Sequence, residues 1–309
     1  MMKTLLPLLP ILILAAACSR EEPPVAVDMT KRAEVAVKRE PNSITFAYLP
    51  QYSHLVSYKR QNLLVEYLKN ETGLNVKQVY PDTFDEQVKM FGQGKIDISF
   101  SNPFVYIKLS RLYGARALAR VVELDGKKDF RGMIICRKDN PDVQTIDDCR
   151  GKRWIATDPS SAGGYLFALG HFIDHGIGKS DFARIDFAPG PGGKQEKVVL
   201  AVHAGKYDIG SVREGTLAVV ADRIDVGELR VLAYTRSYPG WVYAVRRDLD
   251  SAVADTIRQA LLKLDGKDPG HKKILDAAAI SGVVASSESE FDPVRALAVK
   301  AGLDLSEEP

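Results

Sequence analysis

The chain has 309 residues, 45% of them hydrophobic, with 42 Lys and Arg against 40 Asp and Glu. That near-balance lacks the basic field nucleic acid demands and excludes it as a partner. The length suits two globular lobes rather than one.

The opening "MMKTLLPLLPILILAAAC" carries one cation, Lys3, then an apolar run from Leu5 to Ala17 ahead of Cys18. The run is too short to span a bilayer, which takes about 20 helical residues, and it reads as an export signal over residues 1–17. Small residues before a cysteine resemble the lipobox of bacterial lipoproteins, although Ala15 stands where leucine is usual. Lipidation of Cys18 is the expectation, with an ordinary signal cleaved nearby as the alternative. Cleavage removes one lysine and leaves 41 basic against 40 acidic side chains. Of the 24 residues from Ser19 to Asn42, ten are charged and none is aromatic, so the segment buries too little to offset its ordering entropy. Residues 18–42 are thus expected to be an anchored cysteine and a tether reaching roughly 25–30 Å.

From Ser43 the pattern changes. "ITFAYLP" reads as a strand closed by proline, and "YKRQNLLVEYLKNETG" as a helix with Leu63, Leu64, Tyr67 and Leu68 on one face and a stop at Gly73. "NVKQVYP", "DTFDEQVKMFGQGK" and "IDISFSNP" continue as strand, helix and strand. The alternation runs on through "GMIICRKD", "RWIATDP", "GGYLFALGHFIDHGI", "ARIDFAP", "KQEKVVLAVHAGK", "YDIGSV" and "LRVLAYT", and helices fill the tail. Strands alternating with helices predict an α/β fold with parallel-type sheets flanked by helices. Two such sheets predict two lobes: residues 43–135 with 243–309, and residues 136–242. The similar texture of "GMIICRKD" and "WVYAVRRDL" suggests these as the two crossover strands. Cys136 and Cys149 leave both a disulfide and a buried free thiol open.

The stretch "DPSSAGGYLF", Asp158 to Phe167, is the most informative. It lacks the G-x-G-x-x-G of a dinucleotide turn and the G-x-S-x-G of a nucleophile elbow. What remains is a capped helix mouth. Ser160 or Ser161 would cap, and Ala162-Gly163-Gly164 would leave backbone N–H groups free at the positive end of an apolar helix, where an oxyanion is favoured. A well-capped helix without a ligand is the plain alternative.

Several motifs together resemble the phosphate/phosphite/phosphonate-type solute-binding proteins of ABC transporters. The central stretch "FRGMIICRKDNPDVQTIDDCRGKRWIATDPSSAGGYLFALGHFIDHGI" follows the family's aromatic-x-x-x-I-I-x-R, its D-L-x-G-K segment and its D-P-x-S-x-S-G-Y turn. "LVEYLKNETGLNV", "GQGKIDISFSNPFVYI", "VVLAVHAGKYDIGSV" and "FDPVRALAVKAGL" extend the likeness over residues 43–303. The resemblance implies a bilobed type II periplasmic binding fold with two crossovers, an oxyanion in the cleft and no enzymatic activity. It implies no cofactor and no metal. The partners implied are a small oxyanion ligand and the permease and ATPase of a transporter.

The departures bear on the ligand. The family's hydroxyl-rich turn is Ser161-Ala162-Gly163 here, so two side-chain donors are absent. A histidine of many members falls at Lys194. The acid that meets the amine of aminoalkylphosphonates falls at Glu214, six residues after Asp208, and a second acid near "YPGWV" is missing. Arg213 could fork onto a phosphonate or a carboxylate. Tyr48 and Tyr52 follow the first strand, and Ser101 and Asn102 the third, where cleft residues of open α/β sheets gather. Tyr238 lies beside the second expected crossover. Packing and ordinary loop roles are the alternative for each. His171 and His175, four apart on a helix, have metal-ligand spacing but no second pair, and read as structural or solvated.

The leading expectation is a monomeric, lipid-anchored solute receptor facing the periplasm or cell exterior. The alternatives are a periplasmic sensor that signals to a membrane histidine kinase, and a hydrolase using Ser160 or Ser161.

Overall fold

Ser53, Thr83 and Asn102 each precede an apolar-faced run and accept backbone N–H groups of the following turn, which starts three helices. A computed structural model describes residues 43–306 and 308. The export signal, Cys18 and the tether lie outside the described residues. In chain order the first half-lobe contains β1 (Ser43–Tyr48), α1 (His54–Thr72), β2 (Asn75–Val79), α2 (Phe84–Gly92), β3 (Ile98–Ser101), α3 (Pro103–Tyr113) and β4 (Arg116–Val122). Helix α1 ends at Gly73, whose φ of 68° is the left-handed cap geometry glycine adopts without a Cβ penalty. Its buried stripe is Ser57, Gln61, Leu64, Val65 and Leu68, so two polar residues occupy core-facing positions.

The second lobe holds β6 (Gly132–Arg137), β7 (Arg153–Ala156), α4 (Phe167–Asp174), β8 (Arg184–Phe187), α5 (Lys194–His203), β9 (Ile209–Arg213), α6 (Thr216–Val220) and β10 (Leu229–Tyr234). The chain then returns through β12 (Val242–Val245), α7 (Ser251–Leu262), α8 (Pro269–Ala278), β13 (Gly282–Ala285) and α9 (Asp292–Lys300). One sheet has the order β13-β4-β12-β3-β1-β2 and the other β10-β6-β9-β7-β8.

Both sheets are mixed, which refines the parallel expectation. β1 pairs parallel with β2 and β3, and β7 with β8 and β9, because helices carry the chain between them. β12, β13, β6 and β10 pair antiparallel. Strands β12 and β13 come from the returning chain.

The crossovers also differ from expectation. "GMIICRKD" is β6, inside the second sheet, and "WVYAVRRDL" contains β12, inside the first. The chain passes between lobes just ahead of each, where β5 (Asp129–Phe130) and β11 (Tyr238–Pro239) form a two-stranded antiparallel ribbon. Borders at 135/136 and 242/243 therefore cut through β6 and β12. Residues 132–137 run apolar in the second sheet because both faces of that strand are covered. The ribbon is pinned by Phe167 of α4, whose ring stacks on Tyr238 at 4.4 Å and meets Phe130 at 5.2 Å.

Behind the ribbon α9 packs on α4. A Cβ on Gly170 would come within 2.4 Å of Leu297 Cδ1, so the two helices touch only because that residue is glycine. Cys136 and Cys149 are free, buried thiols, and burial first, then each other's proximity, pushes the Cys149 thiol up to about 12. No helix among the described residues is long and apolar enough to cross a membrane.

Candidate functional site

Ser161 does cap the helix mouth. Its side chain accepts from Gly164 N at 3.1 Å, and a π turn, Ala162–Leu166, leads into α4. Ser160 is occupied by protein partners. The Ser160 carbonyl accepts from Asn102 Nδ2 at 3.2 Å and its hydroxyl from Lys108 Nζ at 3.1 Å, both from the opposite lobe. Ser160 N donates to Asp158 Oδ1 and Ser161 N to the Asp158 carbonyl. Gly163 is wedged: a Cβ there would sit 3.0 Å from Phe130 and 3.1 Å from Arg213 Cβ. The Ala162 and Gly163 N–H groups take no acceptor among the described residues, yet both residues are buried.

Lys194 is neither a loose loop cation nor a free anion partner. It is buried and paired at 2.5 Å with Asp158, itself 4% exposed. Burial raises the Asp158 carboxyl above its ordinary value, against the pull of Lys194. Asn102 caps α3 through Phe104 N and Val105 N, and Ser101 is fully buried at the end of β3. Tyr238 sits on Phe167 in the ribbon.

The open space lies elsewhere. A cavity of about 280 Å³, open to solvent on one side, lies between the loop after β1, the buried face of α1, the crossover and the end of β9. Of the expected residues, Tyr48, Tyr52, Arg213 and Glu214 line it, whereas Ser101, Asn102, Ser160, Ser161, Ala162, Gly163, Lys194 and Tyr238 do not. Its walls also include Phe100, Phe130 and Trp241, along with Gln51, Gln61, Arg60 and Glu123, which were not singled out from sequence. The polar Ser57 and Gln61 within the apolar stripe of α1 were the available signal.

Two guanidinium groups meet this cavity. Arg60 lies over the Tyr52 ring at 4.4 Å. Arg213 is largely buried, its side chain 14% exposed, 5.2 Å from the Phe130 ring, and its Nη2 donates to both Glu123 oxygens at 2.9 and 3.0 Å. Burial works against its charge, but Glu123, Tyr52 and Glu214 together outweigh it and hold the pKa above the usual arginine value. Its Nε and Nη1 have no protein acceptor among the described residues. Glu214 also lines the cavity, but both its oxygens are held by Arg131 at 2.7 and 2.9 Å.

Four cavity residues carry a buried polar atom without a partner among the described residues: Tyr48 Oη, Gln51 Oε1, Gln61 Oε1 and Trp241 Nε1. Each such group costs about 1–3 kcal/mol when left unmade, so their gathering in one place points to an occupant. Burial foremost, then Tyr80 and Tyr58, pushes the Tyr48 phenol up, so at neutral pH it is a donor.

Neither serine has a histidine partner among the described residues. His54 bonds Asp82, His203 neighbours Glu228, and His175 Nδ1 lies 2.9 Å from the His171 carbonyl. No group of three or more His, Cys, Asp or Glu is arranged as metal ligands among the described residues.

Residues 46–291 match the family of periplasmic substrate-binding proteins of phosphonate ABC transporters. The chain belongs to that family. It is a family of solute receptors for transporters, not of enzymes, and its members work in the periplasm. The chain is 23% identical over 300 residues to the phosphate-import protein PhnD of Mycolicibacterium smegmatis, covering 92% of this chain and 91% of that one. The solved structure of PhnD1 from Prochlorococcus marinus, in complex with methylphosphonate, superposes with a TM-score of 0.75 at 17% identity, covering 85% of this chain and 99% of that one. A binding protein of a phosphonate transporter from Pseudomonas aeruginosa has the same TM-score at 18% identity, covering 85% and 87%. These likenesses establish the bilobed type II periplasmic binding fold.

Proposed function

We propose that the protein is the lipid-anchored receptor of an ABC importer, closing its lobes on a small solute that bears an oxyanion of the phosphonate, phosphite or phosphate class. One observation carries the reading: Arg213, largely buried on the wall of an interlobe cleft, has two guanidinium nitrogens without a protein acceptor among the described residues. A desolvated guanidinium is a strong partner for a phosphorus oxyanion, through charge-assisted bonds that water does not screen. The Tyr48 phenol and the Trp241 indole N–H supply further donors in the same cavity. Glu123 holds Arg213 in place, and the crossover that carries Glu123 couples the solute to lobe closure. Cys18 would anchor the chain, and residues 19–42 would let the lobes reach the permease as a monomer. The transporter family it belongs to favours import over signalling to a kinase.

The test is calorimetric titration with methylphosphonate, phosphite, phosphate, sulfate and acetate. A phosphorus oxyanion should bind and raise the melting temperature by mass action, an effect of about 2.7 kcal/mol at a hundred-fold excess over Kd. Arg213→Gln should lower that affinity at least about 30-fold, as expected for truncating a buried charge partner. Binding of acetate alone, or affinity indifferent to Arg213→Gln, would contradict the proposal.

A further inference from the structure

The cavity is larger and differently furnished than a bare oxyanion requires. Its 280 Å³, open to solvent on one side, leaves room for more than a tetrahedral anion with one central atom. Its walls are aromatic. Phe100 and Trp241 lie with ring centres 5.2 Å apart, and the Tyr52 and Phe130 rings line the remaining sides beneath Arg60 and Arg213. An inorganic anion leaves such surfaces uncovered, whereas a ring or branched apolar group buries against them.

The orphaned polar atoms are of two kinds. Trp241 Nε1 and Tyr48 Oη are donors, which an oxyanion satisfies. Gln51 Oε1 and Gln61 Oε1, 8% and 5% exposed by residue, face the cavity as acceptors, and in that orientation an oxyanion satisfies neither. Glu123, which touches Arg213 through one nitrogen only, adds a carboxylate to the same cavity. The occupant must therefore offer acceptors at one end and N–H or ammonium donors at another.

The geometry points to a solute whose oxyanion is carried on an aromatic or bulky apolar body with an N–H donor beyond it, rather than phosphate, phosphite or a methyl-sized phosphonate. This rests on the proposed binding of an oxyanion at Arg213 and narrows it. The body packs on Trp241 and Phe100, the anion meets Arg213, and the donor is accepted by Gln51 and Gln61.

Four probes separate the parts: phosphate, methylphosphonate, phenylphosphonate and 4-aminobenzylphosphonate, titrated calorimetrically into the purified full chain. The expected order is 4-aminobenzylphosphonate tightest, at least tenfold over methylphosphonate, with phenylphosphonate between them. Gln61→Leu, a near-isosteric change, should cost the amino-bearing probe about tenfold and phenylphosphonate little. Methylphosphonate or phosphate binding more tightly than both aromatic probes overturns the inference and leaves the oxyanion reading intact. Equal affinity for the two aromatic probes, unchanged in Gln61→Leu, overturns the donor assignment. Failure of all four probes to bind removes the oxyanion reading and this inference together.

Discussion

The mouth of α4 and the cavity at Arg213 are both rich in polar groups, but they use them differently. At the mouth, the Ser160 and Ser161 side chains and the Asp158 carboxylate all have protein partners, and Lys108 of α3 and its cap Asn102 reach across to the Ser160 hydroxyl and carbonyl. In the cavity, four buried polar atoms and two nitrogens of a buried guanidinium have none. A helix mouth with serines is an anion motif in the abstract, because its N–H groups and dipole favour negative charge. The lobe-to-lobe bonds run instead from Asn102 and Lys108 to the Ser160 carbonyl and hydroxyl oxygens, which makes the mouth a latch while the Ala162 and Gly163 N–H groups keep no acceptor among the described residues. Four of the buried side-chain atoms without a partner among the described residues gather at the cavity, and such a gathering is a stronger pointer to a solute than a capped helix mouth is.

The comparison can be broken at Gly163, where the largest effect is expected. Gly163→Ser restores the hydroxyl that relatives keep, but its Cβ would press on Phe130 and Arg213 at 3.0 and 3.1 Å. Overpacking of this kind costs about 1–3 kcal/mol, which lowers the melting temperature by about 2–4 °C for each kcal/mol. Methylphosphonate affinity should not improve. A tighter complex at undiminished stability would return the mouth to its role as the anion site.

Ser160→Ala sharpens the same contrast more gently. It removes the acceptor of Lys108 and with it about 1 kcal/mol of lobe-closing energy, so every solute should weaken by one common factor of about five. Selective loss of oxyanion binding, measured by titration across the probe set, would show that Ser160 touches the ligand.

The smallest effect concerns Glu196, at the start of α5. Its Oε2 is buried without a partner among the described residues, and Arg60 of the cavity wall and Arg223 face it together with the backbone of Ser53. Burial raises its carboxyl pKa despite these neighbours, so the fold favours the neutral form. The stability this form confers is whole below the unfolded value near 4.3, and is lost as pH rises through the higher folded value. Glu196→Gln should then raise the melting temperature by about 1–2 °C at pH 7, with the gap closing below about pH 4. Calorimetry at the two pH values checks the sign. A variant less stable at pH 7 would mean that the charge is used there.

How much of this was legible in the sequence differs between the two regions. The alternation of elements announced the fold, because each strand and helix carries its own period. Ser161 as a cap was readable for the same reason, being local. The ribbon of β5 and β11 was not readable, since two-residue strands have no periodicity and their partners are over a hundred residues apart. The fate of Ser160 depended on Asn102 and Lys108, 58 and 52 residues away, which no local pattern reveals. Trp241, Phe100 and Glu123 were not singled out, because only the packing of distant segments sets them around one space. Gln61 was missed as well, although it lies at helical spacing from Leu64, Val65 and Leu68 on the buried stripe of α1, where a polar side chain is the exception.

The two tryptophans of the chain provide the most direct test, because one sits in each region. Trp241 lines the cavity, whereas Trp154 packs 5.6 Å from Tyr165 in the π turn of the mouth and donates to Ser211. Titrating the tightest phosphonate probe should change the tryptophan fluorescence of the native chain. In Trp241→Phe, with binding verified by calorimetry, that change should disappear. If the full change persists there, reported by Trp154 alone, the solute binds at the helix mouth and the cavity is not its site.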